Sequence, residues 1–150
     1  MTFVTSRFLL PAIFIAAGCT VSAPELARVR PQSLAGCPAR PNCVSSAADS
    51  TGQRIAPLQL KGNGDSAWDA VVREVRALPR TQVDLSDDRY LHATCSSFLF
   101  RFIDDLELLR HDDGSVSIRS AARTGYSDFG VNRRRVATLE KTLRDMGVIQ

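Results

Sequence analysis

The residues best suited to chemistry are concentrated in one stretch, RSAARTGYSDFGVNRRR, at positions 119–135. It contains Arg119, Arg123, Arg133, Arg134 and Arg135, with Asp128 as its one carboxylate. Guanidinium groups are rigid planar forks that match carboxylates and phosphates. Asn132 is a good N-cap, so a helix is expected to begin there. Its first turn then carries three arginines at an end that already bears roughly half a positive charge, which disfavours each cation by about 0.3–1 kcal/mol. Compensation must come from Asp128, a neighbouring carboxylate or a bound anion. The candidate anion-binding set is Arg101, Arg119, Arg123, Tyr126, Asp128, Asn132 and Arg133. Within it, Asp128 is expected to neutralise part of the charge of Arg119, Arg123 and Arg133. A plainer alternative is that Arg119, Asp128 and Arg133 only bridge a sheet to the last helix, as Arg–carboxylate forks often do.

The elements that must position these residues can be read from periodicity. RIAPLQL at 54–60 suits a short strand, held to an edge or bend by Pro57. Asn63-Gly64-Asp65-Ser66 breaks the chain, and Ser66 with Asp69 resembles a capping box. Trp68, Val71, Val72, Val75 and Leu78 follow at helical spacing until Pro79 stops the run. From residue 81 to 123 the period becomes two. Strands are expected at 81–85, 90–98, 100–110 and 115–123, with turns at Asp87-Asp88 and Asp113-Gly114. Alternation puts Val116 and Ile118 on one face and Ser117, Arg119 and Arg123 on the other. It likewise separates Leu91, Ala93 and Cys95 from Tyr90, His92 and Thr94, and Phe100 and Phe102 from Arg101. Arg101, Arg119, Arg123 and His92 should therefore share the second face. A bulge at Asp104-Asp105 would re-aim it. The last helix has Val136, Leu139, Leu143 and Met146 as its apolar stripe, and Gly147 is placed to end it. The expected fold class is α+β, a small antiparallel sheet covered on one face by two helices.

The N-terminus bears on location. Arg7 ends a short leader, residues 8–17 form an apolar run, and Ala16-Ala17-Gly18-Cys19 follows. Ten residues are too few to span a bilayer, which needs roughly 20, but they suit a signal-peptide core. Cysteine after Ala-Ala-Gly resembles the bacterial lipobox, with Ala16 where Leu is usual. By that resemblance residues 1–18 are a lipoprotein signal peptide, Cys19 carries the lipid, and the membrane is a partner through it. Thr20 in second place favours the periplasmic face of the outer membrane over the inner membrane. An ordinary secretory signal or an uncleaved anchor are the alternatives. Residues 19–36, with Pro24 and Pro31, read as a tether, and 37–150 as a single domain.

Cys37 and Cys43 flank turn-forming Pro38, Pro41 and Asn42. In an exported chain, close cysteines suit a disulfide. Free thiols or a metal site are the alternatives, the latter without a second ligand pair at the right spacing. Cys95 should be a buried free thiol.

A chain of 150 residues with 44% hydrophobic residues can bury a core. All but Lys61 and Lys141 of its 19 basic residues are arginines, but the net charge is only +3 and no basic run exceeds three residues. That excludes a general nucleic-acid surface. No nucleophile–base–orienter set, Gly-rich phosphate loop or metal cluster can be read, and no cofactor is implied.

CPARPNCVSS, YLHATCSSFLFRFIDDLELL and RSAARTGYSDFGVNRRR resemble the domain of unknown function 1499 family, over about residues 37–145. Leu108 and Ala122 stand where that family often has an aromatic and a serine. The resemblance marks Asn42, Cys43, Arg101, Asp104, Asp105, Arg119, Arg123, Tyr126, Asp128, Asn132 and Arg133, and brings no activity with it. The expected function is a lipid-anchored cell-envelope protein, a non-catalytic binding or scaffolding module with an arginine-rich anion-binding face. Its partner would be an anionic envelope ligand or a protein. The alternative is an envelope hydrolase of an ester or phosphate with Asp128 or His92 as base.

Overall fold

A computed structural model describes residues 31–62, 64–97 and 102–150. The element order is β1 (Cys43–Ser45), β2 (Leu58–Gln59), α1 (Gly64–Ala77), β3 (Thr81–Ser86), β4 (Tyr90–Ser96), β5 (Ile103–Arg110), β6 (Ser115–Ala122) and α2 (Val131–Asp145). The fold is thus mixed α and β. β3 to β6 form a meander, and β1 pairs with the far side of β6, giving the order β1-β6-β5-β4-β3. β2 also pairs with β6, one strand-length along from β1. All these pairings are antiparallel.

The two-residue period decides what lies inside. Leu91, Ala93, Cys95, Leu106, Leu108, Val116 and Ile118 fall on one side of the sheet and join Trp68, Val71 and Val75 of α1 and Val136, Leu139 and Leu143 of α2 in one buried cluster. Burying each of the larger side chains stabilises the fold by about 1.5–3 kcal/mol. The Trp68 indole also donates to the Asp87 carbonyl at 2.7 Å, tying α1 to the β3–β4 turn. Cys95 is buried and free, and burial raises its thiol pKa. A second, smaller cluster joins Leu34 to Tyr90, Leu109 and the half-buried Leu85.

Several expected boundaries move. α1 starts at Gly64, two residues before Ser66, so Ser66 and Asp69 lie within the helix. α2 starts at Val131, which leaves Asn132 buried inside its first turn and not at the N-cap. The reason is Asp128, whose carboxylate accepts from the backbone N–H groups of Gly130 at 2.9 Å and Asn132 at 2.8 Å. Met146 is 49% exposed and leaves the apolar stripe. Gly147, at φ 72°, turns the chain back, and Ile149 fills the core beside Leu60. No bulge occurs at Asp104-Asp105, where the register on both neighbours is continuous. The irregularity lies in β3, between Val83 and Leu85. Phe98, Leu99, Phe100 and Arg101 lie outside the described residues.

Candidate functional site

The three sequence segments meet at the junction of β1, β5, β6 and α2. Asp104 of β5 pairs with Arg135 of α2 at 2.6 Å, the two side chains being 4% and 11% exposed. Arg135 also donates to Ser120 Oγ at 2.9 Å and to Asn132 Oδ1. Ser120 donates to Asn132 Oδ1 at 2.5 Å. Asn132 Nδ2 reaches the Asn42 carbonyl at 3.4 Å, and Asn42 Nδ2 holds the Gly125 carbonyl at 2.7 Å. Most of the polar groups aimed into the core thus meet complementary ones, as burial demands, but the buried Asn42 Oδ1 has no hydrogen-bond partner. Asn132 and Arg135 sit one turn before Val136 and Leu139, so a polar residue in register with an apolar stripe was the signal for this network. Cys37 and Cys43 are disulfide-bonded beside it, with a Cα–Cα separation of 5.6 Å.

The outer face of the sheet carries Arg119, Arg123 and His92 together, as alternation predicts. It also carries the carboxylates that oppose them. Arg119 lies directly across from Glu107 and donates to it at 2.7 Å. Arg123 reaches Asp105 through NH2 at 2.8 Å and through Nε at 3.1 Å. His92 faces Asp105 through Nε2 at 2.9 Å and Asp84 through Nδ1 at 3.5 Å, and Thr94 donates to Asp84. Burial alone would push the Asp105 carboxyl up, but hydrogen bonds from Arg123 and His92 prevail and hold it below the ordinary carboxylate range. Tyr90 donates to Glu107 at 3.0 Å, and burial together with that carboxylate raises its phenol. Asp84, His92, Asp105 and Glu107 help line a shallow cleft of about 460 Å³.

Asp128 therefore does not neutralise Arg119 and Arg123, which have Glu107 and Asp105, and Arg133 donates to the Gly52 carbonyl at 2.7 Å. Asp128 and Arg133 border a second cleft of about 340 Å³, with Gly52, Gln53 and Cys43 opposite. Tyr126 stands in solvent, 73% exposed. Arg101 and Cys19 lie outside the described residues. The candidate set is thus divided: Arg119 and Arg123 on the outer face, Asp128 and Arg133 at the start of α2, and Asn132 inside.

A third cleft, of about 390 Å³, opens on the other flank of α2. Arg80, Arg134 and Arg135 line it with Leu78, Pro79 and Val131, and no carboxylate is among its lining residues. Arg80 Nε donates to the Ser96 carbonyl at 3.1 Å, and Arg134 to the Phe129 carbonyl at 2.9 Å. Arg80 and Phe129 are the non-glycine residues with positive φ among those described, at 53° and 52°. Such conformations cost roughly 1–3 kcal/mol and gather at functional sites. Sequence reasoning missed Arg80 and Arg134 as site residues, because Arg80 follows Pro79 outside every periodic run.

Among the described residues no group of His, Cys, Asp or Glu is arranged to hold a metal ion, and no helix is long and apolar enough to cross a membrane. Fold and site together define a small α+β domain knit by a buried Asp–Arg–Ser–Asn network. Residues 33–143 match the family described as protein of unknown function (DUF1499), and the chain belongs to that family. No curated protein matches it.

Proposed function

We propose that this chain is a lipid-anchored cell-envelope protein whose domain is a non-catalytic binding module for an anionic group. In this reading both helices cover one face of the sheet, and the anion enters the cleft beside α2 instead of the outer face. The observation that carries it is the lining of that cleft, where Arg80 and Arg134 meet beside Arg135, which Asp104 already pairs from within, and no carboxylate is among the lining residues. Arginine forks bind phosphate and carboxylate bidentately. Two strained backbone positions lie at the same place, one in Arg80 and one in the residue whose carbonyl orients Arg134. The hydrolase alternative is the weaker one. Both His92 nitrogens already face carboxylates, and the Asp128 oxygens are engaged in capping α2.

The test is thermal unfolding of the full chain against inorganic phosphate. A ligand at 100 times its Kd stabilises the folded state by about 2.7 kcal/mol. The parent should rise in melting temperature with phosphate, and Arg80→Gln and Arg134→Gln should lose most of that rise. Equal shifts in parent and variants would defeat the cleft assignment. For the anchor, Cys19→Ala should release the protein from the membrane fraction and remove the lipid from its intact mass. Unchanged fractionation and mass would rule lipidation out.

A further inference from the structure

The end of the sheet from which α2 departs carries a second feature. β3 begins there, β4 ends there, β5 begins there and β6 ends there: Ser96 N donates to the Arg80 carbonyl, Ser96 pairs with Ile103, and Arg123 N donates to the Ile103 carbonyl. The large hydrophobic side chains exposed among the described residues are Phe102 at 47%, Tyr126 at 73%, Phe129 at 85% and Met146. All but Met146 lie at this end. They are not loose. Asp128 clamps the backbone on either side of Val131, Ser127 Oγ accepts from the Phe129 N–H at 3.2 Å, and Arg134 holds the Phe129 carbonyl. The backbone of Phe129 accepts a left-handed conformation at φ 52° while its ring stands in solvent, where it contributes nothing to the core.

The exposed cations beside these rings are Arg133 and Arg134. Their hydrogen bonds go to the carbonyls of Gly52 and Phe129, which orient the side chains without cancelling their charge. Exposed aromatic rings on a loop whose backbone is held by hydrogen bonds, flanked by exposed arginines, match one surface in particular. Aromatic side chains settle at the boundary between lipid headgroups and acyl chains, and arginines beside them meet anionic headgroups. A protein partner would more commonly present pockets to a clustered apolar patch ringed by polar residues, whereas here the rings project from a loop tip with cations alongside.

We propose that the loop carrying Tyr126 and Phe129 docks on an anionic phospholipid surface, with Phe129 entering the headgroup region and Arg133 and Arg134 contacting the headgroups. This contact does not require Cys19 to be lipidated; it shares Arg134 with the anion cleft but is read separately, by the depth of residue 129 and not by phosphate. The experiment places a reporter at the ring itself. Phe129→Trp in the full chain is mixed with vesicles of phosphatidylglycerol and brominated phosphatidylcholine, and separately with brominated phosphatidylcholine alone. Tyr126→Trp supplies a second reporter if the first variant folds poorly. Trp68 is buried, so its unchanged emission in the parent is the background.

Quenching at position 129 should be several-fold greater on the anionic vesicles. Adding Arg133→Gln with Arg134→Gln should remove it, as should about 1 M salt, where charges are screened beyond about 3 Å. Two results would overturn the proposal. In one, neither reporter is quenched while the chain still sediments with the vesicles. In the other, emission shifts to the blue with protein concentration in the absence of lipid, which would assign the loop to a second copy of the chain.

Discussion

Two clefts of similar size, both bordered by basic groups, differ in what stands opposite those groups. On the outer face, Asp84, Asp105 and Glu107 share the cleft with His92, and Arg119 and Arg123 are already bonded to two of these carboxylates. Beside α2, Arg80, Arg134 and Arg135 line a cleft whose walls contain no acid. The first region is internally balanced and has the character of a cross-strand ion network. In the second, Asp104 pairs with Arg135 from within the fold, and Arg80 and Arg134 donate to the Ser96 and Phe129 carbonyls. Counting arginines along the chain could not separate them, because the difference lies in which carboxylate each strand register delivers.

The largest effect should come from the one pair that serves the fold from beneath both regions. Breaking a buried ion pair by removing one partner costs about 3–5 kcal/mol. Arg135→Leu or Asp104→Asn should therefore lower stability in denaturant titration by that amount, and the double replacement Asp104→Leu/Arg135→Leu should recover part of it. If either single variant unfolds like the parent, the network is peripheral and not a keystone.

Asp128 comes next. Its two oxygens accept from two backbone N–H groups at the start of α2, so Asp128→Ala should cost about 0.5–2 kcal/mol, whereas Asp128→Asn, which keeps one acceptor oxygen, should lose only part of that. If Asp128→Ala melts like the parent, the carboxylate does not hold the start of α2.

The balanced character of the outer face should be visible in acid. The folded pKa of Asp105 lies below its unfolded value, for which the reference is about 3.9. Its stabilisation is fully present above that reference and is lost as pH falls through the lower folded value. Between about pH 5 and that value, Asp105→Asn should show a flatter decline of stability with acid than the parent. Equal slopes would mean that Asp105 does not supply the acid response.

The smallest expected effect sharpens the contrast most. Arg123 is half exposed, and such surface pairs contribute about 0–1 kcal/mol. Arg123→Gln should scarcely change stability and should leave any phosphate-induced rise in melting temperature intact. Loss of that rise would move the anion site to the outer face.

Much of this arrangement was legible in residue order. Helical spacing up to Pro79, the Asp113-Gly114 turn, Gly147 and the alternation of Val116 and Ile118 with Ser117 and Arg119 located the elements and the faces. The Cys37–Cys43 pair followed from spacing and turn residues. What was not legible depends on register and on local competition. Glu107 meets Arg119 only because β5 and β6 align those two residues directly. Asn132 looked like a cap because Asn is a good one, but Asp128 takes the backbone donors first, and Asn132 is drawn inward to Ser120 and Arg135. Met146 fitted the helical period, yet the reversal at Gly147 lets Ile149 occupy the core instead.

The pairing of β1 with β6 carries a consequence for the order in which the chain acquires its structure. β3 to β6 are sequential neighbours, so each strand finds its partner as soon as it is made. Asn42 and Gly125, by contrast, are joined across a separation of 83 residues. Closing so long a loop is slow, and until it happens β6 presents an open edge to other chains. The sealing of that edge by β1 and β2 is thus the late step, and the short cysteine-closed loop ahead of β1 restricts how that strand can arrive. Until β1 and β2 pair with it, the edge of β6 remains open to pairing with another chain.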